Sequence, residues 1–333
     1  MGAAGTTRAS ALWRTWAGVL VLTAVAALLS LSMGSTGWAW PWPSSEGDPM
    51  LQHILLEIRA PRTVGAWLAG ALLGLSGALA QGLFRNPLAD PYLLGSSSGA
   101  AMGVAVSMVT FGWSPVGAGW LGQLGLTGAA FIGSVGAVLM TISLAKGVVH
   151  TLRLLLAGVV VGVVLGACSA MTMLLVPDIM RPMQAFMLGT TGFLSWSAAA
   201  LMAPVLLCCL LVALGGARAL DALSLGEAVA RSLGLPLGLV RTALVLALAL
   251  STATAVAQAG LISFVGLVAP HLVRGRVVVT HGPLLALSAA VGGLLLLLAD
   301  TAARWWWAPQ ELPVGVLTAV MGGSYLLWRM HRS

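Results

Sequence analysis

The sequence predicts an all-α integral membrane protein, a polytopic bundle of about ten transmembrane helices with almost no soluble domain. Three observations predict it. The residues AVILMFWYC make up 59% of the 333 positions and charged residues only 8%, where a soluble chain is about a quarter charged. The mean hydropathy is +0.99. Apolar runs recur from end to end, most reaching the roughly 17–25 residues that a helix needs to cross hydrocarbon. A soluble protein of this length needs a charged skin. These residues cannot supply one, so lipid must cover the outside.

The runs fall at about residues 13–33, 63–84, 93–112, 116–145, 152–176, 193–214, 242–261, 283–299 and 312–328. A shorter stretch, 262–273, contains Pro270 and reads as a short or broken helix, which makes ten segments. Arg8 and Arg14 precede the first run as in a signal peptide. No small-residue cleavage site follows it, and Trp38, Trp40 and Trp42 form an interfacial belt, so it reads as a retained first helix. Residues 1–333 form one transmembrane domain, and the polar stretch 218–235 lies within it.

Charge sets the expected orientation. With ten segments and the N-terminus inside, the cytoplasmic side holds Arg8, Arg14, Arg85, Lys146, Arg153, Arg218, Arg231, Arg241, Arg274, Arg276, Arg329 and Arg332. The other side holds Arg59, Arg62, Arg181 and Arg304, which accounts for all 16 basic residues. Such an asymmetry follows the positive-inside rule, and it places both termini in the cytoplasm. The net charge of +7 is spread over single, scattered residues rather than one face, which argues against nucleic acid as a partner.

The 42 glycines read as packing residues. Gly158, Gly162 and Gly166 form GxxxGxxxG, and Gly70 with Gly74 forms another GxxxG. Small residues let helix backbones approach in lipid. Cys168, Cys208 and Cys209 lie in apolar runs without metal-ligand spacing and read as structural thiols. Met171, Met173, Met180, Met183 and Met187 cluster around the fifth segment and the loop after it, and read as soft lining or packing rather than haem ligands. A weak echo links Arg62-Thr63, leading into Ala80-Gln81-Gly82, with Arg241-Thr242, leading into Ala257-Gln258-Ala259-Gly260. The two helices run in opposite directions, as in the inverted repeats of transporters.

Few residues could carry reaction chemistry. The nine carboxylates (Glu46, Asp48, Glu57, Asp90, Asp178, Asp221, Glu227, Asp300 and Glu311) fall in loops or at segment ends, where a proton relay would want an acid mid-membrane. The five histidines are far apart and form no metal pattern. There is no GxxxxGK[ST] phosphate loop. The chain is therefore expected to bind no catalytic, cofactor or metal group and not to hydrolyse ATP. A secondary transporter or channel working without an ATPase is the alternative class. It would usually show an intramembrane ionisable group.

Three polar regions are more than connectors. Arg85-Asn86-Pro87-Leu88-Ala89-Asp90-Pro91 sets two prolines around a polar core, a rigid non-helical turn. The stretch from Arg218 to Leu235 is too polar to span; its residues 225–233 fit a short helix with Gly234 as a stop and Pro236 beyond. Asp300, Arg304 and Glu311 place an acid, a base and a second acid near the outer mouth.

Four long blocks resemble the FecCD family, permease subunits of ATP-binding-cassette (ABC) importers for iron–siderophores, haem and cobalamin. They are RAPRTVGAWLAGALLGLSGALAQGLFRNPLADPYLLGSSSGAAMG (59–103), LSLGEAVARSLGLP (223–236), GLISFVGLVAPHLVR (260–274) and LLADTAARWWWAPQELPVGVLTAVMGG (297–323). They run in the family's order, and the second is most similar to the cobalamin-importing members. The resemblance implies a Type II importer permease fold of ten helices with an inverted repeat in the bacterial inner membrane. It implies a homodimer with the pathway on its axis. Two ATPase subunits carrying ATP and Mg would sit beneath, and a periplasmic substrate-binding protein above.

The resemblance also assigns residues. Coupling to the ATPase falls on residues 218–235, with Leu225, Gly226, Glu227, Arg231 and Gly234 central to it. The cytoplasmic gate falls on Asn86 and Leu88, with Thr151 and Leu152 as a second constriction. The family has two adjacent hydroxyl residues at that constriction; here Leu152 replaces one. Arg59, Arg62 and Arg304 match positions that pair with acidic residues of the binding protein, and the expectation is that they form exposed, individually weak contacts. Interfacial snorkelling is their other reading.

Overall fold

Backbone polar groups have no water to bond in a bilayer core, so a chain this apolar folds as helices that satisfy their own hydrogen bonds. The computed structural model describes residues 3–34, 37–38, 49–112, 120–148 and 151–332. Trp40 and Trp42 of the expected belt, with Glu46, Asp48 and His150, lie outside the described residues. Seven described helices are long and apolar enough to cross a membrane. They are α1 (Ala3–Ser32), α3 (Ala60–Phe84, prolonged backward to Pro49), α5 (Trp120–Leu144), α6 (Thr151–Leu175), α8 (Trp196–Gly215), α11 (Leu237–Ala259) and α13 (His281–Trp305). Two shorter apolar helices, α4 (Ser96–Phe111) and α14 (Val314–Arg332), and the 12-residue α12 (Val265–Arg276) complete the ten expected segments. A two-stranded ribbon, β1 (Met33–Gly34) with β2 (Gly37–Trp38), follows α1.

Helix α3 is the axis of the bundle. Nearly every residue from Gly65 to Phe84 is buried, against α13, α11, α12 and α8. Glycine makes this possible. A Cβ on Gly70 or Gly74 would strike the carbonyls of Gly292 or Ser288 on α13, and one on Gly77 would strike the carbonyl of Gly266 on α12. Helices α4 and α5 meet in the same way through Gly99, Gly103 and Gly133. Without a hydrophobic force between helices in lipid, such backbone contact supplies the cohesion. Helices α1 and α6 are the least buried spans. On α6, Leu152, Leu156, Val160, Val163 and Leu174 are all exposed.

Three boundaries depart from the expected runs. The second segment begins at Pro49 rather than near residue 63, through α2 (Pro49–His53) and a π-helical stretch Ile54–Arg59. The extension carries Glu57 and Arg59, which hydropathy alone excludes from a span. Helix α13 runs past residue 299 to Trp305 and so includes Asp300 and Arg304. The helix keeps these charges because they neutralise each other. The polar stretch 218–235 forms two short helices, α9 (Ala217–Ser224) and α10 (Glu227–Ser232); the second opens at Glu227, as the resemblance implied, rather than at residue 225 as the local pattern suggested. Gly226 between them has φ +117°, which breaks the helix and which residues with a Cβ rarely adopt. A last helix, α7 (Met180–Leu188), lies between α6 and α8.

Candidate functional site

Alternation of the helices puts the starts of α3 and α8 and the ends of α1, α11 and α13 at one end of the bundle. The opposite end holds the turn after α3, α9, α10 and the start of α11. Polar groups are concentrated at both.

At the first end, α13 presents Asp300 on its last turns, fully buried. Arg62, one turn into α3, donates from Nε and Nη2 to Asp300 Oδ1 at 3.0 and 2.9 Å. Its Nη1 donates to both oxygens of Glu311, at 3.1 and 2.8 Å. Thr191 also donates to Asp300 Oδ1. Arg304, one turn after Asp300, pairs with Asp300 Oδ2 at 3.0 Å. Its Nη2 donates to Ser30 Oγ at 2.6 Å, and its Nη1 donates to the carbonyls of Ser30 and Met33 at 3.1 and 3.0 Å. Arg59 donates from Nη1 to the carbonyls of Leu31 and Ser32 at 2.9 and 3.2 Å. A charge taken out of water must find partners. Here a carboxylate shared by two guanidiniums and the frayed carbonyls at the end of α1 provide them.

This geometry corrects the expectation that the three arginines are exposed. Arg59 is 6% and Arg304 2% exposed, and the Arg62 side chain only 11%. The sequence suggested a surface of free positive charge. The chain instead satisfies most of it internally, and Glu311, at 35% the most exposed member, forms its outer edge.

At the opposite end, α3 stops at Arg85, whose φ of +50° ends the helix before Asn86-Pro87. Asn86 Oδ1 accepts the Leu88 amide at 2.9 Å, closing a tight turn that leaves Leu88 exposed. Asp90 Oδ1 accepts the Tyr92 amide at 2.8 Å and caps the 3-10 turn Pro91–Leu94. That turn folds back into the bundle. The Tyr92 hydroxyl donates to the Ile262 carbonyl at 2.9 Å, in the break between α11 and α12, and Pro91 lies against Gly266. Two breaks in helix thus meet inside the protein, the setting in which non-helical backbone is tolerated at membrane depth. Leu152 is exposed at the start of α6; the Thr151 side chain lies outside the described residues.

Beside this turn stand α9 and α10. Leu225 and Arg231 are exposed, Glu227 is half-buried, and Gly234 takes φ +71° to end the segment. Glu227 is 2.5 Å from Arg241 Nη2 and 4.0 Å from Arg231 Nη2. The hydrogen bond from Arg241, with the charges of Arg241, Arg231 and Arg85, holds the Glu227 carboxyl below the usual range, more than offsetting its partial desolvation. Arg241 belongs to α11 and is itself buried, so the bond ties the short helix to a spanning one. Two further links brace this end. Asp221 accepts from the His281 amide at 2.9 Å and lies 2.6 Å from His281 Nδ1, and Gln81 accepts from Arg274.

Sequence reasoning singled out Glu227, Asp300 and Glu311, and also Arg62 and Arg304, but not that these residues pair with one another. Arg241 appeared in the charge count and in the repeat echo with Arg62, without a partner assigned to it. The echo has a physical counterpart, because each arginine sits one turn into a long helix, at opposite ends of the bundle, bonded to a carboxylate. Among the described residues no group of three or more His, Cys, Asp or Glu could hold a metal.

Crossing helices held by glycine contact, with two helix breaks meeting within them and a polar stub at one end, make a polytopic membrane bundle of the kind that transporters build. The FecCD transport family matches residues 21–332, and the chain belongs to it. It is 38% identical over 285 residues to the vitamin B12 import system permease protein BtuC of Salmonella typhi, covering 83% of each chain. It is 39% identical over 283 residues to the hemin transport system permease protein HmuU of Yersinia pestis, covering 84% of each. Among solved structures it resembles a metal-chelate type ABC transporter in an inward-facing conformation, with a TM-score of 0.83 and 28% identity over 95% of this chain and 98% of that one. PsaBC from Streptococcus pneumoniae shares the fold at a TM-score of 0.58 and 16% identity, over 84% of this chain and 90% of that one. The chain is thus a multi-pass membrane permease of the ABC importer class, a transport component rather than an enzyme.

Proposed function

We propose that the chain moves a bulky cargo, an iron chelate, haem or cobalamin, into the cytoplasm as a homodimer driven by two separate ATPase subunits. ATP and Mg belong to those subunits, and this chain binds no cofactor. The membrane is the bacterial inner membrane, with both termini cytoplasmic. A periplasmic binding protein delivers cargo at the Arg62 end.

The observation that carries this reading is the α9–α10 stub. It is polar in an otherwise apolar chain, lies at one end of the bundle with α9 packed against it, and is fastened by Glu227 to Arg241 of α11. A stub held this way converts a push from a soluble subunit into a rigid-body movement of a spanning helix. Leu225 and Leu233 are exposed beside it and supply an apolar contact for that subunit. The open face of α6 fits a pathway or a second copy, because it lacks packing partners in the single chain. The relatives' cargoes, vitamin B12 and hemin, set the size class.

The test is uptake by a strain lacking this gene, supplied in turn with cobalamin, haem and a ferric siderophore. One uptake should be lost and should return with the gene. Unimpaired uptake of all three would remove the cargo class, and uptake that persists without cellular ATP would remove the energy source.

A further inference from the structure

Arg62 is held on two edges by two different carboxylates. Its Nε/Nη2 edge faces Asp300, which is fully buried, shared with Arg304 and Thr191, and fixed on α13. Its Nη1 faces Glu311, which lies in the loop after α13, is 35% exposed, and has no other ion-pair partner among the described residues. One carboxylate is structural and the other is replaceable. With Glu311 in place, Arg62 and Arg304 face two acids; with Glu311 withdrawn, Arg62 offers an unpaired N–H while Asp300 still anchors it. A guanidinium fixed on one edge and open on the other is a preorganised receptor for one incoming carboxylate.

We propose that Glu311 is an internal stand-in for a carboxylate of the docking protein: it occupies Arg62 in the free permease and yields that position when the partner binds. This rests on the reading that an acidic binding protein docks at this end. The partner surface it selects carries an Asp or Glu that can reach Arg62, and Arg304 and Arg59 take no direct part because they are spent on the end of α1. The exchange lowers the net strength of docking, since one ion pair breaks as another forms. That favours release of the partner after delivery.

The experiment uses the full chain in nanodiscs and the binding protein of its own transporter, cargo-free, at low and high salt. Glu311→Gln should tighten binding about twofold to fivefold at low salt, the range of a partly exposed ion pair, with the gain shrinking in high salt. In the permease alone, the same change should raise modification of Arg62 by an arginine-selective dicarbonyl, read by peptide mass mapping, and leave Arg304 protected. Arg62→Gln, checked for monodispersity, should weaken binding. Unchanged binding by Arg62→Gln would overturn the docking reading and this inference together. Weakened binding by Arg62→Gln, with no gain in either affinity or Arg62 reactivity from Glu311→Gln, would overturn the stand-in role alone.

Discussion

Arg62 and Asp300 lie 238 residues apart and meet at 2.9 Å through a two-donor contact, with Asp300 sealed from solvent. The pair joins the start of α3 to the end of α13, and Arg304 completes it from the other side. It makes this end of the bundle one bonded unit.

That unit predicts unequal costs for its two acids. Asp300→Ala leaves two buried guanidiniums without their shared partner and should destabilise by about 3–5 kcal/mol, the range for a broken buried pair. Glu311→Ala should cost about 0–1 kcal/mol, as partly exposed pairs do. Unfolding in detergent, followed by tryptophan fluorescence, ranks them. Equal costs would show that Asp300 is not the keystone.

The link between Glu227 and Arg241 predicts a rescue. Glu227→Arg should abolish uptake while the complex still assembles, because two cations then face each other. The swap Glu227→Arg with Arg241→Glu should recover a substantial part of the uptake. A swap no better than the single change would mean that Glu227 acts through another partner. At the break between α9 and α10, a bulky residue at Gly226 should also uncouple, since φ is +117° there although space is open.

The same bond sets a pH window. The Glu227 carboxyl is held below its ordinary value of 4.5 by Arg241 first. A depressed carboxyl contributes fully above its unfolded value and loses that contribution as the pH falls through the lower, folded one. Coupling of ATPase activity to uptake should therefore be flat from about pH 6 to 8 as far as Glu227 is concerned. A fall within that window that survives in Glu227→Gln would have to come from another group.

The glycines predict a contrast that their motifs do not. Gly74→Ala places a methyl against the Ser288 carbonyl, and Gly158→Ala places one against the Leu93 carbonyl. Gly166→Ala meets only Ser98 Oγ, at 3.8 Å. The first two should lower the melting temperature and the yield of monodisperse protein; the third should not. Loss of folding in Gly166→Ala alone would show that its partner is another subunit.

The turn at Asn86 predicts proximity across a dimer. Asn86 and the prolines around it fix Leu88 in an exposed position at the α9–α10 end of the bundle, where the proposed gate lies. After Cys168, Cys208 and Cys209 are replaced, Leu88→Cys should cross-link between subunits in at least one nucleotide state. No cross-link in any state would move the gate elsewhere.

The membrane class, the helices and the family follow from the sequence by itself. Twenty apolar residues in a row can satisfy their backbone only as a helix in lipid, and four long motifs in order specify a family. The sequence also marked Glu227, Asp300 and Glu311 as unusual acids and the 86–91 segment as a rigid turn. It could not show that Arg59 and Arg304 are buried, because burial depends on partners at Ser30–Met33 and Asp300 that no local pattern announces. It could not extend α13 past residue 299, because hydropathy scores a charge by itself, whereas a paired charge is tolerated. Tertiary structure decided which edge of Arg62 is fixed and which is open, which glycines touch a neighbour, and that Tyr92 reaches Ile262 from 170 residues away. The physical reason is the same in each case. A helix's own sequence sets whether it forms, while the worth of a charge or a missing Cβ is set by what another helix brings against it.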